Sequence, residues 1–211
     1  AFNNGEAAGN SNRPLNWDTA NVTTMFNMFQ SATVFNQDVT NFDVSNVIFM
    51  NGMFQNAVAF NNGEPAGSSG RPLNNWNTSS VREFYGTFDD AGSFNQDIGD
   101  WDVGSGTNFT AMFATAGAFE QNINNWQVSD TASLTDMFAS ADLMQSNFGF
   151  SSTPTAFEFN RTNRFTDRNS LDAAITAWID DKAAATSTYG DINTWDVRAI
   201  TDFSRLFQNK R

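Results

Sequence analysis

A period of 25 residues constrains this chain more than any other feature. Trp76, Trp101 and Trp126 are spaced 25 apart, Trp17 stands 25 before Phe42, which takes the Trp position, and Trp195 starts one further copy. Eight residues after each aromatic comes Met25, Met50, Phe84, Phe109, Leu134 or Phe203, and twelve after it comes Phe29, Phe54, Phe88, Phe113, Phe138 or Phe207. Columns of alanine (Ala32, Ala57, Ala91, Ala116, Ala141) and of a second phenylalanine (Phe35, Phe60, Phe94, Phe119) complete the pattern. One coil of this kind cannot bury its own aromatic residues, whereas stacked coils bury one another's. Parallel pairing would set the coils ~4.8 Å apart, and each ring covered contributes roughly 1.5–3 kcal/mol.

Asp43-Val44 and Asp102-Val103 read as short extended pieces. Met25-Phe26-Asn27-Met28-Phe29 and Leu134-Thr135-Asp136-Met137-Phe138 space apolar residues at three and four, as a helical turn does. The expected fold is therefore an α/β repeat solenoid, each coil holding a short parallel strand and a short helical turn. Two coils carry longer Gly/Pro/Ser loops, Asn4 to Leu15 and Asn62 to Leu73, expected to bulge from one edge as a contact surface or plain solvated loops. The array of about five coils spans 1–141. Residues 142–168 are an irregular connector, where Phe157-Glu158-Phe159 hints at a strand. A capping helix follows over 169–190, with Ser170 as its N-cap, Asp172 in its first turn and Gly190 beyond its end. Residues 191–211 open a new coil.

Composition removes whole classes of chemistry. With no Cys and no His among 211 residues, thiolate nucleophiles, disulfides, Ser-His-Asp triads and the usual zinc sites are excluded. A net charge of −12 opposes nucleic-acid binding. No apolar run reaches transmembrane length. An Asp38 and Asp97 column could hold calcium or cap turns, but Asn122 interrupts it. A glycosidase-like carboxylate pair is the remaining catalytic option, and nothing singles one out among 23 acidic residues. The expectation is no enzyme, no cofactor and no metal. Asn21, Asn77, Asn108 and Asn160 head sequons for glycosylation, with Asn160 outside the regular coils.

Trp101-Asp102-Val103, Asn21-Val22-Thr23-Thr24-Met25, Asn46-Val47, Gly52-Met53-Phe54 and Phe94-Asn95-Gln96-Asp97-Ile98 resemble the BspA-like surface-protein repeats, also called bacterial surface protein 26-residue or mycoplasma lipoprotein-associated repeats. Leu171 through Trp178 to Trp195-Asp196-Val197 resembles the segment that opens such arrays. The resemblance covers nearly the whole chain except roughly 142–160. It implies a leucine-rich-repeat-like solenoid on secreted or surface proteins, often tied to adhesion, with no catalytic residues to transfer. Gly104-Ser105-Gly106 and Asp130-Thr131 depart from the Asn-Val-Thr pattern.

The repeat phase also runs across the two ends. Leu206-Phe207-Gln208-Asn209-Lys210-Arg211 followed by Ala1-Phe2-Asn3-Asn4-Gly5-Glu6 matches residues 53–64 at nine of twelve positions. The chain opens without an initiator Met, as a processed or excised segment would. Two arrangements fit, a covalent tandem of this block or separate protomers stacking head to tail, and either makes a filament. Ala1, Phe2, Asn3, Asn4, Leu206, Phe207, Gln208 and Asn209 form the expected junction. The functions that remain are a structural unit of an extracellular filament or surface fibre and an adhesive ectodomain binding host protein or glycan; a polysaccharide-active enzyme is the remote third.

Overall fold

In the computed structural model the described residues are 2–6, 14–159, 165, 167–189, 192–195, 197 and 200–208. They fall into two compact units, Ala1–Phe159 and Asn160–Arg211, each with its own apolar core. The expected α/β solenoid of leucine-rich-repeat-like coils is not what the chain builds. No β-strand occurs among the described residues, and the three α-helices found there lie outside the coils: α1 (Asp142–Phe148), α2 (Arg168–Asp180) and α3 (Lys182–Tyr189). The coils of the first unit are made of turns.

Backbone handedness explains the difference. Asn27 and Ser31 have φ of 52° and 57°, and the equivalent residues of later coils (Gly52 and Asn56, Gly86 and Asp90, Ala111 and Thr115, Asp136 and Ser140) are left-handed as well. A left-handed residue at every fourth place stops a helix before it completes a turn and suits the third position of a type II turn. The helical spacing of Met25, Met28 and Phe29 thus comes from overlapping turns, in which Met28, Gln30 and Ala32 donate to the carbonyls of Met25, Asn27 and Phe29. The alternate donors, Met25, Asn27, Phe29 and Ser31, reach across to the carbonyls of Phe49, Asn51, Met53 and Gln55 in the next coil. The same division recurs from Met50 to Asn56, Phe84 to Asp90 and Phe109 to Thr115. Because half the donors serve the coil's own turns, the parallel pairing shrinks to isolated bridges joining Thr24, Phe49, Glu83, Asn108 and Ser133 in sequence. Asp43-Val44 and Asp102-Val103, expected as extended pieces, are Asx turns: their Asp side chains accept the N–H two residues on. The Ser45 hydroxyl, and after it the Ser45 N–H, hold the Asp43 carboxyl below its ordinary range.

Inside, the apolar columns become two adjoining stacks of rings. Phe29, Phe54, Phe88, Phe113 and Phe138 follow one another at 5.5–5.8 Å. Phe35, Phe60, Phe94 and Phe119 do so at 5.7–5.9 Å. Within a coil the two rings lie nearly parallel, as close as 3.8 Å for Phe54 and Phe60. Beside them runs a buried amide ladder: Oδ1 of Asn3, Asn36, Asn61 and Asn95 accepts the backbone N–H of Asn36, Asn61, Asn95 and Glu120 respectively. Loop 62–73 closes over this ladder instead of bulging free. Asn61 Nδ2 donates to the carbonyls of Pro65 and Ser68, and Arg71 pairs with Asp38 and Glu64.

Residues 142–159, expected to be irregular, finish the stack. Phe159 lies on Trp126 at 6.3 Å, Phe150 and Phe159 pack on Phe138, and Ala156–Glu158 forms a 3-10 turn where a strand was expected. Phe138 N–H donates to the Ser152 carbonyl and Asp136 N–H to Thr153 Oγ1, so the two middle outward donors of the last coil are occupied.

In the second unit, the single capping helix expected over 169–190 is two helices, parted at the extended Asp181, whose carboxylate caps α3. Asp167 rather than Ser170 caps α2, accepting the Ser170 N–H at 2.9 Å. Leu171, Ala174 and Ile175 bury against Phe165, Trp195, Ile200 and Leu206. The Ser170 N–H, then its hydroxyl, lowers the Asp167 carboxyl below its ordinary value. A carboxyl so lowered adds stability that is present above the unfolded value near 3.8 and disappears as pH falls through the lower folded value. Asp167→Ala should speed hydrogen exchange at Leu171 and Ala174 at neutral pH, lower the unit's melting temperature by a few degrees, and flatten its loss of stability in acid.

Candidate functional site

The candidate site consists of two open faces, one on each unit. In the first unit every coil but the first has its carbonyls taken by the coil before it. The carbonyls of Thr24, Phe26, Met28 and Gln30 occupy the same places in the first coil, and among the described residues no hydrogen bond reaches them. The rings beside them are equally bare. Trp17 stacks on Phe42 at 6.1 Å and is 49% exposed on its other side. Phe2 stands in the column of Phe35, 5.7 Å from it, and is 45% exposed. Together Phe2, Trp17, Met28, Phe29 and Ala32 line an open apolar hollow of about 410 Å³. Each full coil holds two Phe rings side by side; Phe2 is the second ring of such a pair, and the hollow lies where the first would stand.

The second unit carries the opposite edge. Leu206 N–H donates to Phe203 O, Gln208 N–H to Arg205 O, and Arg205 is left-handed at φ 57°, repeating the turns at Met25–Gln30. The half coil after Trp195 therefore already has the array's conformation. Its outward carbonyls at Asp202 and Ser204 are occupied by the Arg168 guanidinium, at 2.7 and 3.0 Å. The donors of Phe203, Arg205 and Phe207, which in an array would reach the next coil, have no partner among the described residues. Phe203 and Phe207 are exposed and rim an apolar hollow of about 210 Å³ with Leu171, Ile175, Ile192 and Trp195. The Ser204 N–H, then its hydroxyl, holds Asp202 below its ordinary range.

Of the junction residues read from the sequence, Phe2 and Phe207 are exposed rings, Gln208 is exposed, and Leu206 is buried in the second core. Asn3 is buried, its Oδ1 accepting Asn36 N–H and Gln37 Nε2. Asn4 is half-buried with φ 49°. Ala1 and Asn209 lie outside the described residues. The sequence reading missed Trp17, the Thr24–Gln30 carbonyls and the Arg168 clamp; the ring columns pointed to Trp17, but carbonyl direction leaves no trace in side-chain identity. Among the sequons, Asn21 and Asn77 are exposed, Asn108 is half-buried, and Asn160 lies outside the described residues. The amides of Asn77 and Asn108 accept the N–H two residues on. Asp38, Asp97 and Asn122 cap turns in the same way. Among the described residues no group of three metal-ligating side chains gathers, and no helix is long and apolar enough to cross a membrane.

A family model described as Mycoplasma protein of unknown function, DUF285, matches residues 6–69, 66–152 and 180–211. No curated protein and no solved structure matches the chain.

Proposed function

The chain belongs to the family described as Mycoplasma protein of unknown function, DUF285, and from that premise we propose that it is a structural repeat unit of an extracellular or cell-surface filament, as its finer likeness to BspA-like surface repeats suggests. Units assemble head to tail: the half coil at Phe203–Gln208 of one copy stacks on the first coil of the next and completes the ring pair that Phe2 begins. The observation carrying this reading is the match of edges. Among the described residues, the donors of Phe203, Arg205 and Phe207 in the second unit and the acceptors of Thr24, Phe26, Met28 and Gln30 in the first have no partner. On the edges that would compete, the carbonyls of Asp202 and Ser204 and the donors of Asp136 and Phe138 are already taken. Such a contact is heterologous, so it propagates unless its rotation closes a ring.

The purified chain should form concentration-dependent oligomers by sedimentation and regular fibres by electron microscopy. Phe2→Ser and Phe207→Ser should each remain monomeric, while an equimolar mixture, having one intact edge of each kind, should stop at dimers. A wild-type chain that stays monomeric, or variants that polymerise like wild type, would sink the proposal.

A further inference from the structure

A groove of about 710 Å³ crosses the first four coils of the array, sharing no lining residue with the open hollow of that unit, and is lined by residues that include Asn21, Thr23, Asn46, Ser80, Arg82 and Ser105. Its walls repeat with the coil, because positions four and six after each aromatic lie above one another. The only charge in its lining is Arg82, in a chain with 23 acidic and 11 basic residues. No ion pair or side-chain hydrogen bond holds the Arg82 guanidinium among the described residues. A cation so placed in a concave wall concentrates potential toward whatever enters.

Between the coils the backbone of the groove is paired. Ile48 N–H donates to Thr23 O, Arg82 N–H to Ile48 O and Thr107 N–H to Arg82 O, so an extended peptide laid across these coils finds those groups already taken. Apart from Ile48 and Arg82, what faces the groove is hydroxyl and amide, and the side chains of Asn21, Thr23 and Ser105 have no hydrogen-bond partner among the described residues. One residue beyond Ile48 is exposed Phe49; three beyond Thr23 and Arg82 are exposed Phe26 and Tyr85. Polar groups repeating along a channel, with exposed aromatic residues one to three places along the chain from its lining, match a sugar chain, whose pyranose units offer hydroxyls at their edges and C–H faces to aromatic rings. We propose that this groove binds a carboxylated oligosaccharide of the uronic-acid type, Arg82 forking onto one carboxylate and the Asn, Ser and Thr side chains taking the ring hydroxyls. A single arginine in a chain of net charge −12 suits a planar carboxylate presented once per sugar and disfavours the higher charge density of sulfated or phosphorylated polymers.

The test is calorimetric titration of the full chain with tetragalacturonate, with cellotetraose and a blocked tetraglutamate peptide as contrasting probes. Saturable binding of tetragalacturonate is expected, weakened roughly tenfold or more by Arg82→Gln and also by Phe49→Ala and by Ser105→Glu, which sets a like charge beside the ligand. Phe207→Ser should bind as wild type, which separates this site from filament assembly. Arg82→Gln should keep the wild-type unfolding midpoint, since its guanidinium holds no ion pair or hydrogen bond among the described residues. Absence of saturable heat overturns the proposal, as does an affinity indifferent to Arg82→Gln or Ser105→Glu. Equal binding of cellotetraose would remove the role of the carboxylate, and equal binding of the peptide would assign the groove to protein; either result also overturns it.

Discussion

Asn61→Leu is expected to destabilise the first unit by about 3–5 kcal/mol, the combined cost of several buried groups losing hydrogen bonds, although leucine is of similar size and the site is fully buried. The Asn61 side chain uses all four of its bonding positions. Oδ1 accepts from Asn95 N–H at 2.8 Å and Gln96 Nε2 at 2.9 Å, and Nδ2 donates to the carbonyls of Pro65 and Ser68. Leucine leaves Asn95 N–H without its bond between coils and releases loop 62–73 from the ladder. Denaturant unfolding monitored by tryptophan fluorescence would measure the loss, and a change under about 1 kcal/mol would mean that water replaces the ladder. Asn61→Asp separates donor from acceptor. At neutral pH its carboxylate faces two carbonyls, so burial and the lost donor raise its folded pKa above the unfolded value. Stability should then be greatest in mild acid, where the protonated carboxyl can donate, and fall as pH rises through the folded value.

Phe88→Ala should cost a comparable 3–5 kcal/mol by transfer and cavity terms. Phe88 lies 4.0 Å from Phe94 within its coil and 5.6 Å from both Phe54 and Phe113 in the coils on either side, with Trp101 tilted against it. Removing one ring from the middle of a column opens a gap that turn-built coils cannot close, because their spacing is held by backbone bonds on both sides. The array is stabilised mainly through nearest-neighbour contacts, so hydrogen exchange should accelerate most at Phe54, Phe113 and their cross-coil donors. Phe26→Ser, which removes an equally large ring that is 61% exposed, should stay within about 0.5 kcal/mol of wild type. Equal effects of the two substitutions would contradict the division between inner and outer positions.

Phe88 and Phe26 differ in a way the 25-residue period makes legible: Phe88 recurs as Phe in every coil, whereas Phe26 is replaced by Asn51, Tyr85, Thr110 and Thr135. Recurrence likewise placed Phe207 in the column of Phe29 and Phe2 in that of Phe35. Met25, Met28 and Phe29 show the opposite case. Their spacing is that of a helix, yet Asn27 turns left-handed between them, and its column holds Asn, Gly, Gly, Ala and Asp, no uniform signal for that conformation. The break after Ala141 was visible as a loss of pattern, but Phe150 and Phe159 gave no hint that they close the last coil.

Sequence alone determined the length of the coil, the columns that face inward, and the start of a new coil at Trp195, since equal positions of a constant repeat must lie above one another. Tertiary structure decided that turns rather than strands and helical turns build that coil, that Asn3, Asn36, Asn61 and Asn95 share one ladder, and which edges stay open. Those outcomes depend on where each N–H and carbonyl finds its partner, often 24 to 35 residues away, and every residue except proline carries the same backbone groups whatever its side chain.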